Sequence, residues 1–335
     1  MGGLVCRVKD NPWYLACSLG SHGLLNWVPD EVYLKMFYRG AMGKRLDLDN
    51  PRTFNEKIQW LKLHDRNPLY ITLVDKCDVK PWIAERIGKQ YVVQTYGVWD
   101  SFDDIDFGEL PDRFVLKCTH DSGSVAICHD WGSFDISTTR ERLTASLKRN
   151  YFWYAREWPY KDVKPRIIAE EYLGPNGGGD LTDYKLFHFN GGPTLTLVCE
   201  DRSLAAGMSK TYFDEKWSCV SVSEGGHPTN PGCLRPVYFD DMLNLSNLIA
   251  EGIPFCRVDF YESARGLLFG ELTFYPAAGL EHFNPPEVDE LWGSWIELPT
   301  AAGGLSKWLF LAFVSSFTVQ TAFRRPFGGG CLVAA

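Results

Sequence analysis

The sequence predicts an α+β protein with at least two lobes. Three observations carry that expectation. Helical patterns run from residue 29 to Gly88, strand-like runs dominate much of the rest, and a glycine-rich stretch, "GPNGGGD" (174–180), separates two blocks of strands. Mixed α and β segments of this kind point to an α+β architecture with its lobes split near 174–180.

The first helix is expected in "PDEVYLKMFYRGAMG" and the second in "NPRTFNEKIQWLKLHD". The second carries Thr53 three residues before Glu56, a capping-box spacing, with Phe54, Ile58 and Leu61 on one face. A third is expected over "PLYITLVDKCDVKPWIAERIG", ending at Gly88, with Pro81 as its dividing point. Strands follow in "YVVQTYGVW", "RFVLKCT" and "SVAICHD", then a helix in "STTRERLTASLKRNYFWY" and a strand in "KPRIIAEEYL". Beyond the glycines come the strands "DYKLFHFN", "PTLTLVCED" and "KTYF". A helix in "FDDMLNLSNLIAEG", closed by Gly252, leads into the hairpin "CRVDFYESARGLLFGELTFYP" (256–276).

The 335 residues are 45% hydrophobic, 14% aromatic and 23% charged, the composition of a soluble globular protein with room for a sizeable core. The net charge of −8 leaves no basic footprint for nucleic acid. A phosphorylated ligand would have to be held by a few placed cations or a metal. The ten cysteines include no CxxC pair, and several sit in apolar runs, so buried reduced thiols are expected rather than zinc ligands. Without a secretory signal, the cytoplasm is the expected compartment. Gly2 is not followed by the Ser or Thr a myristoylation signal needs, since Cys6 stands there. The apolar segment "KWLFLAFVSSFTVQTAF" (307–323) falls short of the roughly 20 residues that span a bilayer. It is expected to be a tail, with contact to the inner face of the membrane as the alternative.

The hairpin carries the first candidate site. A two-residue loop, Ala264–Arg265, would put Asp259 opposite Gly270 and turn Asp259 and Glu271 to opposite faces. A three-residue loop, Ala264–Arg265–Gly266, puts Asp259 opposite Glu271 and Arg257 opposite Thr273. Gly266 tolerates the left-handed conformation that the longer loop requires, which favours the second register. Arg257, Asp259, Glu271 and Thr273 then share one face, leaving Val258, Phe260, Leu268, Leu272 and Phe274 on the other. Such a face is either an ordinary solvated one or a magnesium site, since hard cations take carboxylate oxygens and bridge to phosphates. Two opposed acids repel unless something positive lies between them, which directs attention to a phosphate-binding partner.

"FVLKCTHDSGSVAIC" (114–128) is the candidate partner. Lys117 ends a strand, and Ser122, Gly123 and Ser124 form a loop whose amides and hydroxyls could hold phosphates. An ordinary hairpin turn with a strand-ending lysine is the competing reading. Lys76 in "LVDKCD" is a weaker candidate. "PRIIAEEYLG" (165–174) reads either as a surface strand end or as an interlobe hinge meeting a purine edge. Lys185 and Arg202 are further cations on strand-like segments. The histidines lack ligand spacing. There is no GxSxG, P-loop or dinucleotide fingerprint.

Lys76, the Lys117 strand with its "HDSGS" loop, "IIAEEYL", "DYK", "RVD" and "ELT", in that order, resemble the ATP-grasp superfamily. "TFNEKIQWLKLHDRNPLY", "LVDK", "FVLKCTHDSG", "REWPYKDVKPRIIAEEYL" and "FGELTFYP" are similar to one branch, the TupA-like ATP-grasp family of bacterial surface-polysaccharide and teichuronopeptide loci. The similarity runs from about residue 29 to Pro299 and rests on many modest motifs falling in one order. It implies an ATP-grasp fold in which two antiparallel-sheet lobes clamp ATP, with a helical N-terminal region. The implied organisation is an N-terminal extension (1–28), the helical region (29–110), a first lobe (111–175), a second lobe with the metal site (176–299) and an apolar, glycine-rich tail (300–335).

Carried over by position, the resemblance implies that Lys76 and Lys117 contact the ATP phosphates, with Ser122, Gly123 and Ser124 closing over them. Glu170, Glu171 and Leu173 would line the adenine hinge, and Asp180 would meet the ribose. Asp259 and Glu271 would hold Mg2+, one ion or two, with Thr273 standing where most relatives place an asparagine ligand. Arg257 would stabilise the acyl phosphate and the tetrahedral intermediate, with Lys185 and Arg202 as supporting catalytic cations. Ala277 and Ala278 follow Pro276 where a glycine would allow close backbone approach. The implied activity is an ATP- and Mg-dependent carboxylate–amine ligase working through an acyl phosphate in surface-polymer assembly, on small-molecule or glycan substrates. The alternatives are a glycosyltransferase-type polysaccharide enzyme using the two acids for a nucleotide-sugar's metal, and a degenerate, non-catalytic binding module.

Overall fold

Thr53 shows how local sequence sets the helices. Its hydroxyl accepts from the Glu56 amide at 3.2 Å, and the Glu56 carboxylate accepts from the Thr53 amide at 3.1 Å. The expected capping box therefore starts helix α2 (Phe54–His64). The preceding helix, α1 (Asp30–Met42), closes on Gly43 in the left-handed conformation. The computed structural model describes residues 19–20, 22–174, 181–200 and 208–299. The chain divides into two compact units, Met1–Glu297 and Leu298–Ala335, and every element named below lies in the first.

The helix expected over 68–88, with Pro81 as its dividing point, is two, α3 (Leu69–Val74) and α4 (Val79–Arg86). The break falls at Asp75–Asp78 rather than at Pro81. The Asp75 carboxylate accepts from the Cys77 and Asp78 amides at 2.7 and 2.9 Å, a local turn that competes with helix. Pro81 sits in the first turn of α4, where a missing N–H costs nothing. The helix expected over 137–154 is likewise two, α5 (Ile136–Leu147) and α6 (Phe152–Ala155). Asn150 accepts from the Phe152 amide at 3.0 Å and restarts the helix there.

Strands β1 (Thr95–Trp99), β2 (Phe114–Cys118), β3 (Val125–Cys128) and β4 (Ile167–Glu171) form an antiparallel sheet in the order β1-β4-β2-β3. Its inner face, built from Phe114, Leu116, Cys118, Ala126, Ile167 and Ala169, packs against Leu143 of α5 in a closed core. The chain then passes to a second antiparallel sheet containing β5 (Asp183–Phe189), β6 (Leu195–Glu200), β7 (Ser209–Phe213), β8 (Cys219–Val220), β10 (Phe255–Ser263) and β11 (Gly266–Thr273), ordered β11-β10-β5-β6-β7-β8. Helix α7 (Phe239–Ala250) packs on β5 and β10. The short strands β9 (Ser223–Glu224) and β12 (Phe283–Asn284) pair with each other, and α8 (Glu287–Ser294) follows β12. Phe54 of α2 joins this part of the core, its ring edge-on to Phe189, Phe255, Phe283 and Trp292.

The seven described cysteines are all free thiols, and Cys118, Cys128, Cys199 and Cys256 are buried. Among the described residues, no helix is long and apolar enough to cross a membrane. The segment 307–323 lies outside the described residues.

Candidate ATP and ligation site

The β10–β11 hairpin has the expected pairing at its chemical end by a different route. Asp259 opposes Glu271 and Arg257 opposes Thr273. At the turn, however, Ser263 opposes Gly266, so the loop is the two residues Ala264–Arg265 and not three. A bulge between Asp259 and Phe260 supplies the extra residue, at Gly270. A Cβ on Gly270 would stand 2.8 Å from Cε2 of Tyr261 and 3.2 Å from the Asp259 carbonyl oxygen, so the bulge needs glycine there. Gly266 does take the left-handed conformation, with φ of 101°. Beyond the bulge Leu268 opposes Tyr261, which removes it from the expected apolar face, and Phe269 opposes Phe260 in its place.

Strand β5 extends this arrangement. Lys185 opposes Asp259 across β5–β10, so Lys185, Asp259 and Glu271 form a row over three neighbouring strands. Arg257 reaches into the row from the next one. Its Nε donates to Oδ1 of Asp259 at 2.6 Å and its Nη2 to Oδ2 at 2.7 Å, a bidentate pair. The same Nη2 donates to Oε1 of Glu271 at 2.9 Å. Lys185 donates to Oδ2 of Asp259 and pairs with Asp183 at 2.6 Å. The cation that separates the two acids is thus the chain's own guanidinium. Asp259 is 1% exposed, while the Glu271 side chain is 42% exposed.

The charges respond to these neighbours. Burial would raise Glu271, but Arg257, Lys76, Lys185 and Lys117 outweigh it and bring the carboxyl down to about 2. Burial opposes the charge on Arg257, yet Asp259 and Glu271 hold it above its ordinary value. Two of the cations acting on Glu271, Lys76 and Lys117, belong to the segment 75–78 and to strand β2, so the first sheet and the hairpin share one field.

In the first sheet, Lys117 of β2 and Glu170 of β4 lie on one face and form an ion pair. Glu170 is buried and also pairs at 2.5 Å with Lys80, a residue of α4 that the sequence pattern did not single out. Lys80 further donates to the Val93 carbonyl at 2.9 Å and the Thr95 hydroxyl at 2.7 Å. Burial would raise Glu170, but Lys117 and Lys80 bring it below its ordinary value. Its side chain is therefore an anchor for two lysines. Glu171 pairs with Arg265 at the hairpin tip, and Leu173 is half-buried just after β4.

Lys76 donates from its ammonium to the Asp121 carbonyl and from its backbone to Thr119. Burial lowers it, and Lys117 adds to that effect. Ser124, expected to face phosphate, is buried. Its hydroxyl donates to Asp121 and accepts from the Cys118 amide at 3.1 Å, so it holds the loop's shape instead. Ser122 and Gly123 are exposed, and Ser122 lines a separate cavity of about 540 Å³ with Lys148 and Arg149. Asp180 and Arg202 lie outside the described residues.

The residues fit a nucleotide with a hard cation. Val115, Val125 and Ile127 leave an apolar strip on the open face of the first sheet beside Lys117, Val125 and Ile127 being 38% and 45% exposed. That strip suits a base, and the lysines suit phosphates. Oε2 of Glu271 accepts no hydrogen bond among the described residues, and Oδ1 of Asp259 accepts only one, leaving lone pairs for a metal. The Thr273 hydroxyl lies 3.4 Å from Oε1 of Glu271, so it either orients that carboxylate or joins the donor set. Another cluster with metal-capable groups, Asp75, Cys77 and Asp78, has its two acids paired with Arg166 at 3.0 and 2.8 Å.

Lys185 and Arg257 also form one wall of a cleft of about 580 Å³, which continues past Phe187 and Leu197 to Lys210, Glu224 and Glu281. The sequence reading did not include those last three.

A family model described as TupA-like ATP-grasp matches residues 56–297. The chain belongs to the TupA-like ATP-grasp family. Membership makes it an ATP-grasp protein, with ATP and Mg2+ as its cofactors. No curated protein matches this TupA-like chain. Solved structures similar to it include the D-alanine–D-alanine ligase of Helicobacter pylori, at 11% identity, 72% of this chain, 69% of that chain and a TM-score of 0.42. The N5-carboxyaminoimidazole synthetase of Staphylococcus aureus complexed with ADP matches at 16% identity over 72% and 58%, with a TM-score of 0.36. A RimK domain ATP-grasp protein of Sphaerobacter thermophilus matches at 13% identity over 69% and 70%, with a TM-score of 0.37.

Proposed function

We propose that the chain joins a carboxylate to an amine through an acyl phosphate, in the assembly of a bacterial surface polysaccharide or peptide polymer. The observation that carries the mechanism is the shared wall. The row of Lys185, Asp259 and Glu271, with Arg257, opens directly on a cleft large enough for a sugar acid or an amino acid. The polymer role follows from the family alone.

In this reading Lys76 and Lys117 meet the phosphates, Lys117 being oriented by Glu170, and Asp259 and Glu271 hold magnesium. Magnesium, when bound, neutralises charge on the transferring phosphoryl group. Arg257 faces the acyl phosphate and the oxyanion that forms when the amine adds, with a fixed, permanently charged donor. Lys185, with Arg257, opposes the rise that burial imposes on the Asp259 carboxyl, and lends a second cation to the substrate carboxylate. The cytoplasmic face of the membrane is where ATP and polymer precursors would meet the enzyme.

The test is ADP release with L-glutamate, D-alanine or D-glucuronate as carboxylate and hydroxylamine as the trapping amine, with UDP-sugars in parallel. Carboxylate-dependent ADP release with hydroxamate formation is expected. Turnover with UDP-sugars only would replace the proposal with a glycosyltransferase, and the absence of nucleotide binding would leave a binding module.

A further inference from the structure

The same cleft holds charged groups to which the mechanism above gives no task. Glu224 of β9 is buried, and both its oxygens are committed: Oε1 to Lys210 at 2.5 Å and Oε2 to the Tyr212 hydroxyl at 2.6 Å. Glu281 lines the same cleft. Its backbone is fixed, the N–H donating to Oδ1 of Asn55 at 2.8 Å and the carbonyl accepting from Nδ2 of Asn55 at 2.9 Å. Pairing of Phe283 with Glu224, and the bond from the Gly225 amide to the His282 carbonyl, set Glu281 against the β9 end of the cleft. Among the described residues its carboxylate has no side-chain hydrogen bond or ion pair, only the backbone amide of His282. Burial and the facing Glu224 push its carboxyl up to about 7, with Lys210 opposing.

The cleft is therefore polarised. Lys185 and Arg257 make one wall cationic, which suits a carboxylate and repels an ammonium. Among the described residues, Glu281 presents an uncommitted acid to the same cleft. Phe54, Leu197 and Phe283 add apolar lining.

We infer that Glu281 receives the amine co-substrate, binding it as a primary ammonium and taking its first proton. The inference rests on the ligase reading and names the acceptor class: a small molecule bearing a primary amine that is protonated in solution. The proton moves from the ammonium nitrogen to the Glu281 carboxylate. The freed nitrogen lone pair then forms the C–N bond at the acyl-phosphate carbonyl carbon. The C–O bond to phosphate breaks, phosphate leaves with the electron pair, and the second N–H proton departs on it. A group poised near neutrality suits this transfer, since it can be a base before the step and release the proton afterwards. Among the described residues, the charged and titratable groups around Glu281 are Glu224, Lys210, Tyr212 and His227, with Lys185 and Arg257 lining the same cleft.

The experiment compares wild type with Glu281→Gln in the ADP-release assay. L-alanine and D-glucosamine serve as ammonium acceptors, and hydroxylamine as one that is mostly neutral at pH 7. Amide formation with the ammonium acceptors is expected to fall by about 10²–10⁴-fold, the usual worth of a general base. Hydroxamate formation is expected to fall far less. The acid limb of kcat/KM for the ammonium acceptor, near pH 7 in wild type, is expected to flatten in the variant. Equal losses for hydroxylamine and the ammonium acceptors would assign Glu281 a structural role and overturn the inference. Unchanged amine kinetics in an active enzyme would overturn it alone. If wild type binds ATP, read as a thermal shift, but releases no ADP with any carboxylate, the ligase reading falls and takes this inference with it.

Discussion

Asp259 sits directly across the β10–β11 ladder from Glu271, and the Arg257 guanidinium bonds to both. Opposed acids on neighbouring strands repel, so the pair persists because a third side chain of the same face lies between them. In the proposed mechanism Arg257 is two things at once: the cation that stabilises the metal-site acids and the donor aimed at the reacting carbonyl.

The two roles separate by substitution. Arg257→Ala removes the partner of a buried carboxylate, and breaking such a pair costs about 3–5 kcal/mol. Arg257→Lys keeps a positive charge but loses the bidentate fork. The lysine variant is expected to fold and bind ATP while its turnover falls about 10²–10³-fold, the usual worth of one oxyanion donor. Thermal melts with and without ATP, alongside ADP release, check this. Normal turnover in Arg257→Lys would remove Arg257 from the chemistry.

Glu170 is the second hub. It is buried and holds Lys117 and Lys80, whereas Glu171 next to it pairs with Arg265 at the more exposed hairpin tip. Glu170→Gln leaves two half-buried ammonium groups without their counter-charge and is expected to cost about 3–5 kcal/mol. It is also expected to raise the Kd for ATP, since the lysines lose their orientation. Glu171→Gln, at a partly exposed pair, is expected to cost less than about 1 kcal/mol. Urea midpoints and ATP titrations of the two variants provide the comparison, and similar losses would show that Glu170 is not the anchor.

The bulge supplies a third contrast. Gly266→Ala places a side chain at φ of 101° at the turn, away from the acids, and is expected to cost about 1–2 kcal/mol while turnover is kept. Gly270→Ala instead drives a Cβ into Tyr261 and the Asp259 carbonyl, inside the bulge that keeps Asp259 opposite Glu271. It is expected to lower both stability and turnover. An active Gly270→Ala enzyme would show that the register survives without the bulge.

The hairpin also shows what the sequence could and could not convey. The pairing of Asp259 with Glu271 was readable because two acids and a turn glycine are strong local signals. The reason offered for it was a longer loop, and the ladder instead absorbs its extra residue at Gly270. Both solutions satisfy the same end register, and the pairing of Ser263 with Gly266, a tertiary detail of the ladder, separates them. Lys117 and Glu170 were readable singly, as a strand-ending lysine and a strand-end acid. Their ion pair is a diagonal across β2 and β4 that requires knowing strand order. Lys80 gave no signal, because a lysine beside a proline in a helix looks like any solvated side chain. Glu224, Lys210 and Glu281 come from three separate segments, and their meeting is a tertiary event. The breaks at Asp75–Asp78 and at Asn150 arise from single side chains capturing backbone amides, which apolar periodicity does not report.

The pH response of folding gives a test independent of catalysis. His188 of β5 is buried, with Nδ1 3.3 Å from the Thr194 hydroxyl and no partner at Nε2 among the described residues. Burial disfavours its charged form and lowers the imidazole to about 4. The unfolded chain takes up that proton near the ordinary value of about 6.5. Between about pH 6.5 and 4, therefore, the unfolded state binds a proton that the folded state refuses, and stability falls as pH falls, levelling off below about 4. The full span corresponds to about 3 kcal/mol. Glu157 and Glu281, both raised to about 7, act in the opposite direction over part of that range, since the folded state holds their protons more tightly. The difference between wild type and His188→Gln isolates the histidine. Urea midpoints at pH 7, 5.5 and 4 are expected to show wild type losing ground to the variant as the pH drops. A difference that stays constant across the three values would mean that His188 binds its proton equally well in the folded and the unfolded chain.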